Sequence, residues 1–354
     1  MIEAFITLIY FAIILGVIVL VHEFGHFFFA KKFGVFVHEF SIGMGPKIWG
    51  RRKGETEYSI RAIPLGGYCS LAGEDGEETD EDGKKIPRKR KLFAKTGWQR
   101  FIILVMGAGN NFILALILLF SIGLFVGSPN MDPVVNELTP GYPMEKAGIQ
   151  EGDKVISING AKTKTSEDIQ VRLSLVKAGS DVTFEIERDG KRKEYKVTPV
   201  AKTEEGEKHY YYGITFKTEM EHGVLNALRY TFQKTGALIR QMVLVLQLLF
   251  TGNLSINRLG GPVAIYSTVG EAKMYGIATL VQLTALLSIN VGFINLLPFP
   301  AVDGGRILLL IIEKIKGKPL NPKVEESINL VGFILLMILA FYITCHDLFN
   351  IFGK

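Results

Sequence analysis

The amino-acid sequence predicts a multi-pass α-helical membrane protein with about four transmembrane helices and an inserted extracytoplasmic α+β domain. Three observations support this fold class. Hydrophobic residues make up 48% of the 354 residues and charged residues only 21%. The apolar residues form blocks of about 20, which is the length that a helix needs to cross a bilayer. Charged segments separate the blocks, and one of these segments is long enough to fold as a domain.

Composition and charge exclude several other classes of protein. The apolar content is too high for a disordered or fibrous chain. The net charge is +5, but the positive residues cluster in particular loops. This clustering indicates membrane topology rather than nucleic-acid binding. Cys69 and Cys345 lie far apart and have neither metal-ligand nor redox spacing, so they imply no disulfide framework.

Four apolar blocks predict the transmembrane helices. The first runs from Ala4 to Val21 and has no basic residue before it, which favours a retained span over a cleaved signal peptide. With the blocks that follow, the predicted spans are helix 1 at 1–33, helix 2 at 98–128, helix 3 at 276–305 and helix 4 at 326–350. A shorter stretch, Ala237 to Phe250, contains an arginine and two glutamines. Within the predicted surface region 219–275, this stretch fits an amphipathic helix on the membrane or against the bundle better than a fifth span, which stays open as the alternative.

The distribution of basic residues predicts the orientation of the spans. Lys31 and Lys32 follow the first apolar block, basic residues from Arg88 to Lys95 precede helix 2, and more lie in the loop 306–325. The residues before Ala4 include no Lys or Arg. Cytoplasmic loops carry an excess of Lys and Arg, so the loops 34–97 and 306–325 are expected in the cytoplasm. Both termini and the inserted domain are then extracytoplasmic.

Helix 1 ends in a motif with metal-binding spacing, His22-Glu23-Phe24-Gly25-His26. Residues four apart share one face of a helix, so both imidazoles can reach one metal ion. Glu23 lies beside that face, where it can take a proton from a water molecule activated by the metal. Ionisable residues inside a membrane segment are costly and generally functional. The alternative is a helix end with two interfacial histidines and a snorkelling glutamate.

Asp303 is the best candidate for a third metal ligand, because catalytic zinc sites usually have three protein ligands. It lies in the segment Asn295-Leu-Leu-Pro-Phe-Pro-Ala-Val-Asp303-Gly-Gly. The prolines cannot continue a helix, so helix 3 is expected to open into irregular backbone here. By the predicted orientation, Asp303 lies near the cytoplasmic end of helix 3, as the histidines do in helix 1. The alternative is an aspartate that only caps a turn before Gly-Gly.

These motifs, with GAGNNFILA in helix 2, resemble the site-2 protease family of intramembrane zinc metalloproteases, and among them the bacterial RseP-type members. The resemblance covers nearly the whole chain in order. It implies that His22, His26 and Asp303 bind Zn²⁺ and that Glu23 is the catalytic acid/base. It also implies that Asn295 helps to hold the substrate strand. The chain has room for one PDZ-like domain, as in the single-PDZ branch of the family, rather than two in tandem.

The segment 34–97 between helices 1 and 2 alternates in polarity and is punctuated by Gly and Pro, which predicts short strands and turns. The family is similar here, with a membrane-associated β-loop. An exposed edge of such a loop could pair with an unwound substrate by strand addition, and a plain cytoplasmic hairpin is the alternative. The acidic stretch from Gly73 to Lys85 is expected to be a flexible, solvated loop.

The inserted segment 129–218 has the pattern of a globular domain. A short helix, a turn and a strand are expected over 141–160, a helix over 166–176, and a hairpin around Asp189-Gly190. The order is similar to PDZ domains of bacterial proteases. By that resemblance, Gly213 and Ile214 would belong to the strand where a peptide docks. A closing strand without ligand is the equal alternative for these residues.

The combined motifs predict a zinc-dependent endopeptidase that cleaves single-span membrane proteins in regulated intramembrane proteolysis. By resemblance, the substrates are anti-sigma factors and remnant signal peptides, the location is the bacterial cytoplasmic (inner) membrane, and the PDZ-like domain excludes substrates with bulky outer parts. The partners are such substrates and the lipid bilayer, and no nucleic acid. Two rival functions are a non-enzymatic PDZ scaffold, which predicts no tightly bound zinc, and a metal or proton transporter, which predicts flux without cleavage.

Overall fold

A computed structural model describes residues 2–73, 79, 83–204, 207–217, 219–318 and 320–352. The chain divides into two compact units, which we call the membrane unit (Met1–Leu118 and Leu249–Lys354) and the inserted unit (Leu119–Leu248). Most of the acidic stretch 73–85, predicted to be a flexible loop, lies outside the described residues.

The helices of the described residues include one at each predicted span and two, over 262–274 and 303–316, that the sequence analysis does not predict. They are, in chain order, α1 Ile2–Lys32, α2 Gly97–Phe125, α3 Pro143–Lys146, α4 Ser166–Ser174, α5 Val224–Phe250, α6 Pro262–Met274, α7 Ile277–Asn295, α8 Asp303–Lys316 and α9 Pro322–Phe352. Short 3₁₀ turns occupy Arg88–Arg90, Leu92–Ala94 and Ile256–Arg258.

The strands form one sheet in the membrane unit and several small sheets in the inserted unit. They are, in chain order, β1 Val37–Lys53, β2 Thr56–Leu71, β3 Ser128–Pro129, β4 Val135–Leu138, β5 Lys154–Ile158, β6 Ala161–Lys162, β7 Val182–Arg188, β8 Lys191–Val197, β9 Val200–Glu204, β10 Glu207–Tyr211, β11 Ile214–Phe216 and β12 Met220–Glu221.

Four helices of the described chain are long and apolar enough to cross a membrane, and they lie where the sequence predicts spans. They cover Ile2–Lys32, Gly97–Phe125, Ile277–Asn295 and Lys323–Phe349. Their apolar side chains are widely exposed in the isolated protein, as expected for helices that face lipid. The chain is therefore a multi-pass helical membrane protein.

The segment after α1 folds into a sheet of two long, bent, antiparallel strands. Phe40 of β1 pairs with Cys69 on one side and with Tyr58 on the other, because β2 passes β1 twice. The sheet therefore has four rows, with residues 67–71 at one edge and 49–53 at the other. This is a more extended β structure than the short strands that the sequence predicts.

The inserted unit contains an apolar core around Phe184, Met144 and Ile169, which are at most 1% exposed. Its largest sheet has the order β6-β5-β7-β8, with the predicted hairpin between β7 and β8. Asp189 and Gly190 have φ values of 52° and 73°, which a two-residue turn between twisted strands requires. Strand β11 pairs with β4 in a separate antiparallel ladder.

Helix α5 begins at Val224, well before the predicted amphipathic stretch 237–250, and most of it belongs to the inserted unit. Two ion pairs attach α5 to α4. Arg240 Nη2 lies 2.8 Å from Asp168 Oδ2, and Lys234 Nζ lies 2.5 Å from Glu167 Oε1. Asp168 also caps α4 through the backbone N–H groups of residues 164 and 165, so α5 is fixed to the start of that helix.

Candidate metal centre

The two histidines of the sequence motif lie on one face of α1 where it crosses α2. His22 is 8% exposed and His26 is also largely covered. The helices approach closely because Gly25 has no side chain, and an added Cβ there would lie 2.0 Å from the carbonyl oxygen of Met106. Close approach brings the imidazoles against the backbone of α2.

The facing side of α2 supplies a partner for each imidazole. His26 Nδ1 lies 2.9 Å from the carbonyl oxygen of Ile103, and the Asn111 side-chain amide lies 3.4 Å from His22 Nδ1. Ile103, Gly107 and Asn111 are four residues apart and therefore share one face of the helix. With both Nδ1 atoms turned toward α2, both Nε2 atoms point to a common centre.

The third group comes from the break between α7 and α8. Helix α7 ends at Asn295 and the backbone is irregular through the two prolines, as the sequence predicts. Helix α8 then begins at Asp303 and occupies much of the segment 306–325 that was expected to be a loop. Ala301 has a φ of 75°, a left-handed conformation that is rare for a residue with a side chain. The Ala301 N–H donates to Asn329 Oδ1 of α9 at 3.4 Å, which holds this turn in place.

The three predicted ligands meet in the folded membrane unit with the spacing of a metal site. His22 Nε2 and His26 Nε2 lie 3.3 Å apart, and Asp303 Oδ2 lies 3.3 Å from the first and 3.4 Å from the second. A tetrahedral zinc ion with bonds of about 2.0–2.1 Å holds its ligand atoms about 3.3–3.4 Å apart. The three atoms therefore match three corners of a zinc tetrahedron.

The burial and the hydrogen bonding of the Asp303 carboxylate also fit a bound cation. Asp303 Oδ2 is buried and has no hydrogen-bond partner among the described residues. A buried carboxylate oxygen that makes no hydrogen bond is costly, and a cation between it and the two imidazole nitrogens would satisfy it. Two imidazole nitrogens and one carboxylate oxygen are ligand atoms that Zn²⁺ prefers. The residues present thus fit a zinc ion in chemistry as well as in spacing.

A cavity of about 410 Å³ opens beside this cluster. Glu23 lines it, as do Asn295 and Arg306. An added Cβ at Gly67 of β2 would lie 3.8 Å from Glu23 Cγ, so the β2 edge lies along the cavity beside Glu23. This space is large enough for a short stretch of extended peptide. The three candidate metal ligands, the acid/base candidate Glu23 and the β2 edge all face it.

A polar network holds that edge strand. Tyr68 Oη and Ser59 Oγ donate to the Glu39 carboxylate, and Arg61 Nη2 lies 2.8 Å from it. Burial by itself would raise the pKa of Glu39, but these hydrogen bonds and the Arg61 charge lower it overall. Burial and the Glu39 carboxylate raise the pKa of Tyr68, which also lines the cavity.

Sequence reasoning missed some residues at this site and separated others from it. The sequence analysis assigns no role at this site to Asn110 and Asn111 of the motif GAGNNFILA. The Asn110 side chain donates to the Val21 carbonyl of α1, with Nδ2 at 3.3 Å, but Asn111 faces the candidate ligand His22. The tandem asparagines in an apolar helix were the signal. Gly213 and Ile214 lie just before and at the start of β11, in the inserted unit.

Two histidines, an aspartate and a glutamate around one cavity of a helical membrane protein define the class of membrane-embedded metallopeptidases. The model of peptidase family M50 matches residues 10–339. The chain therefore belongs to peptidase family M50, the site-2 proteases, and it is an intramembrane zinc metalloprotease.

Individual relatives cover nearly the whole chain. The zinc metalloprotease RasP of Geobacillus kaustophilus is 34% identical over 423 aligned positions, covering 99% of this chain and 100% of the relative. A putative zinc metalloprotease of Clostridium perfringens is 38% identical over 332 positions, covering 94% and 95%. The regulator of sigma-W protease RasP of Bacillus subtilis is 33% identical over 422 positions, covering 98% and 99%.

Proposed function

We propose that His22, His26 and Asp303 hold the zinc ion and that Glu23 is the catalytic acid/base. The observation that carries this proposal is the mutual spacing of 3.3–3.4 Å among the three ligand atoms. When bound, zinc acts as a Lewis acid toward a carbonyl oxygen and lets water lose a proton near neutral pH. The Glu23 carboxylate faces the same cavity, where it accepts that proton and passes it to the leaving amine.

The substitution Glu23→Gln tests this assignment. It removes the proton acceptor and preserves the size of the side chain, so zinc content should persist while cleavage of a model single-span substrate is abolished. Glu55→Gln is the matched control, because Glu55 pairs with Lys31 and Arg90 away from the cavity. Cleavage by the Glu23→Gln variant at the normal rate would remove Glu23 from the mechanism.

The proposed substrates are single-span membrane proteins, including anti-sigma factors and remnant signal peptides. The name of the Bacillus subtilis relative, regulator of sigma-W protease, supports the first group. Cells that carry the Glu23→Gln variant should accumulate the natural substrates uncut. Comparing the membrane proteins of these cells with wild type by mass spectrometry identifies them, and accumulation of soluble proteins alone would contradict the proposal.

The edge of β2, residues 67–71, is proposed to align the substrate by strand addition. A helical substrate keeps its peptide bonds in its own hydrogen bonds, so it must unwind before a carbonyl can reach the metal centre. Ser70 and its neighbours line the same cavity as Glu23, so a substrate strand paired with this edge would lie beside Glu23. A plain cytoplasmic hairpin that does not pair with the substrate remains the alternative.

Disulfide crosslinking tests the strand assignment. Both native cysteines are first replaced by serine, and Ser70→Cys is introduced in the Glu23→Gln background. This cysteine should crosslink to one placed near the cut in the substrate. Arg51→Cys, at the opposite edge of the sheet, should not. Equal crosslinking from both edges would contradict strand addition at 67–71.

Asn295 is proposed to hold the unwound substrate near the metal centre. It is the last residue of α7 and lines the cavity. Its amide can donate to a substrate carbonyl and accept from a substrate N–H. Asn295→Ala should therefore lower kcat/KM while zinc content stays at one ion per chain. Loss of zinc in this variant would instead indicate a role in the metal centre.

The inserted unit is proposed to be a PDZ-like domain that discriminates substrates by their extracytoplasmic part. Gly213 has a φ of 77°, and an added Cβ would lie 2.2 Å from Tyr142 Cβ, so the backbone conformation before β11 requires glycine. Ile214 then offers its strand to a peptide end. Ile214→Glu should change how the cleavage rate depends on the size of the extracytoplasmic part of the substrate. Thr215→Glu, at the exposed neighbouring residue, should leave this dependence unchanged.

The proposed location is the bacterial cytoplasmic membrane, with both termini and the inserted unit outside. Positive residues near the ends of α1, α2 and α8 support this orientation. In a cysteine-free background, Gly190→Cys should react with an impermeant maleimide in intact cells. Gly317→Cys should react only after the membrane is opened. The reverse pattern would overturn the orientation.

A further inference from the structure

Asn111 stands in the same relation to His22 as the carbonyl of Ile103 does to His26. Helices α1 and α2 pair His26 with Ile103 and His22 with Asn111, eight residues further along α2. His26 Nδ1 lies 2.9 Å from the Ile103 oxygen, and Asn111 Nδ2 lies 3.4 Å from His22 Nδ1. The imidazole nitrogen that does not face the metal centre is thus met by α2 in both cases.

Metal binding through Nε2 determines whether the other imidazole nitrogen, Nδ1, is a hydrogen-bond donor or an acceptor. A neutral histidine that binds a metal through Nε2 carries its proton on Nδ1, so Nδ1 becomes a donor. For His26 the Ile103 carbonyl accepts that proton. For His22 an acceptor is required at the position of the Asn111 amide. A half-turn of this amide exchanges its oxygen and nitrogen, and the hydrogen-bond network decides between the two orientations.

The surroundings of Asn111 favour the half-turn in the zinc-bound state. Asn111 is 0% exposed, and its Oδ1 has no hydrogen-bond partner among the described residues. Turning the amide brings Oδ1 to His22 Nδ1–H and replaces a contact between two donors by a hydrogen bond. In that state the half-turn leaves one amide atom, Nδ2, without a partner among the described residues instead of two. Ser288 Oγ donates to the Asn111 carbonyl at 2.8 Å, which fixes the backbone from which the side chain extends.

We infer that Asn111 is a positioning residue of the metal centre: its side-chain carbonyl accepts the His22 Nδ1–H and holds Nε2 toward the zinc ion. The inference rests on the proposed ligand set. Outer partners of ligand histidines fix the tautomer and the ring orientation, and losing one typically weakens metal binding about 10–100-fold. Asn111 therefore acts on zinc affinity through His22, without touching the substrate.

Zinc affinity of the purified full-length protein in detergent tests the inference. It is measured by competition with a chromophoric chelator. Asn111→Leu, which removes the acceptor, should weaken binding about 10–100-fold. Asn111→Asp restores an acceptor and should bind zinc within a few-fold of wild type. Asn110→Leu is the matched control, because among the described residues the Asn110 side chain donates to the Val21 carbonyl in α1 and not to a ligand imidazole. Its zinc affinity should be unchanged.

A spectroscopic readout separates positioning from packing. In the Co²⁺-loaded protein, the visible absorption bands report the ligand geometry. They should change in Asn111→Leu and be recovered in Asn111→Asp. Wild-type zinc affinity and cobalt spectrum in Asn111→Leu would overturn the inference. Equal weakening in the Leu, Asp and Asn110→Leu variants would also overturn it, because general packing of α2 would then be the cause.

Two further variants keep the result interpretable. If Asn111→Leu does not fold, Asn111→Ala removes the acceptor without adding bulk, and the same zinc and cobalt criteria apply to it. His22→Ala tests the ligand set separately and should lose zinc by more than the Asn111 variants do. Unchanged zinc affinity in His22→Ala would refute the ligand set and, with it, this inference. Loss in His22→Ala without loss in the Asn111 variants would refute the inference alone.

Discussion

Gly107 of α2 lies directly against the His26 imidazole of α1, and an added Cβ at Gly107 would come within 2.2 Å of Nε2. The absent side chain thus leaves room for the nitrogen that faces the metal centre. A helix-interior glycine costs about 1 kcal/mol of helix stability relative to alanine. The close contact explains why this glycine is placed in α2 despite that cost.

Gly107→Ala should displace His26 and weaken zinc binding at least about 10-fold, the range seen when a ligand is misplaced. Gly109→Ala is the control, because its Cβ would meet only the flexible Met106 side chain, with Sδ at 3.2 Å. Both substitutions gain the same helix propensity, so the difference in zinc affinity isolates the clash. Equal zinc affinity in the two variants would show that His26 is not constrained by α2.

Asp303→Asn should lower zinc affinity more than about 100-fold, since it removes the charged ligand and not just an outer partner. Asp347→Asn is a matched control in the same unit. Asp347 is likewise buried, but its Oδ2 accepts from the N–H groups of Gly261 and Ala264 at the start of α6. That variant should lose thermal stability and keep its zinc. Full zinc content in Asp303→Asn would contradict the ligand assignment.

Removal of metal should abolish cleavage reversibly. Prolonged dialysis of the detergent-solubilised protein against a strong chelator should give an inactive protein. One equivalent of Zn²⁺ should restore cleavage of a model single-span substrate. Mg²⁺ serves as the control, because it prefers oxygen ligands in octahedral geometry over imidazoles. Cleavage at the original rate by metal-free protein would exclude a role of zinc in the reaction.

Asp168→Asn should loosen α4 in the inserted unit. Burial would raise the pKa of Asp168, but the Arg240 guanidinium and the N–H of Lys164 lower it overall. Breaking the pair should cost about 1–2 kcal/mol, less than a fully buried pair because the Arg240 side chain is 34% exposed. Hydrogen exchange of the amides of α4 should then be about 10-fold faster at pH 7.

The sign of the pH dependence follows from the lowered pKa. A carboxylate with a depressed pKa stabilises the fold above its unfolded pKa of about 3.9, and this contribution is lost as pH falls through the lower, folded pKa. The difference in hydrogen-exchange rate of the α4 amides between wild type and Asp168→Asn should therefore shrink below about pH 4. Asp181→Asn is the control, because the ion pair of Asp181 with Lys196 is exposed. Its hydrogen-exchange rates should equal those of wild type both at pH 7 and below pH 4. A difference in exchange rate between wild type and Asp168→Asn that grows as the pH falls would contradict this explanation.

Local signals in the sequence predict most of the membrane unit. Apolar blocks of spanning length give the four helices, and the spacing of His22 and His26 gives the shared face, because both depend on residues near in sequence. The prolines between Asn295 and Asp303 give the break that the structure has. These features need no knowledge of tertiary contacts.

What the sequence does not predict depends on partners far away in the chain. The role of Asn111 follows from its position opposite His22 across a helix crossing, and no local pattern states that position. The attachment of α5 to α4 was not predicted either, because it depends on ion pairs of Lys234 and Arg240 with a helix far away in the chain. The double pairing of β1 likewise depends on where β2 folds back.

The order of the ligands along the chain has a consequence for biosynthesis. His22 is made early, but Asp303 follows the whole inserted unit, residues 119–248. A ribosome-bound chain therefore carries only an incomplete set of the proposed ligands until that unit has been translated. On this ligand set, we expect that a half-made molecule cannot yet hydrolyse neighbouring proteins in the membrane.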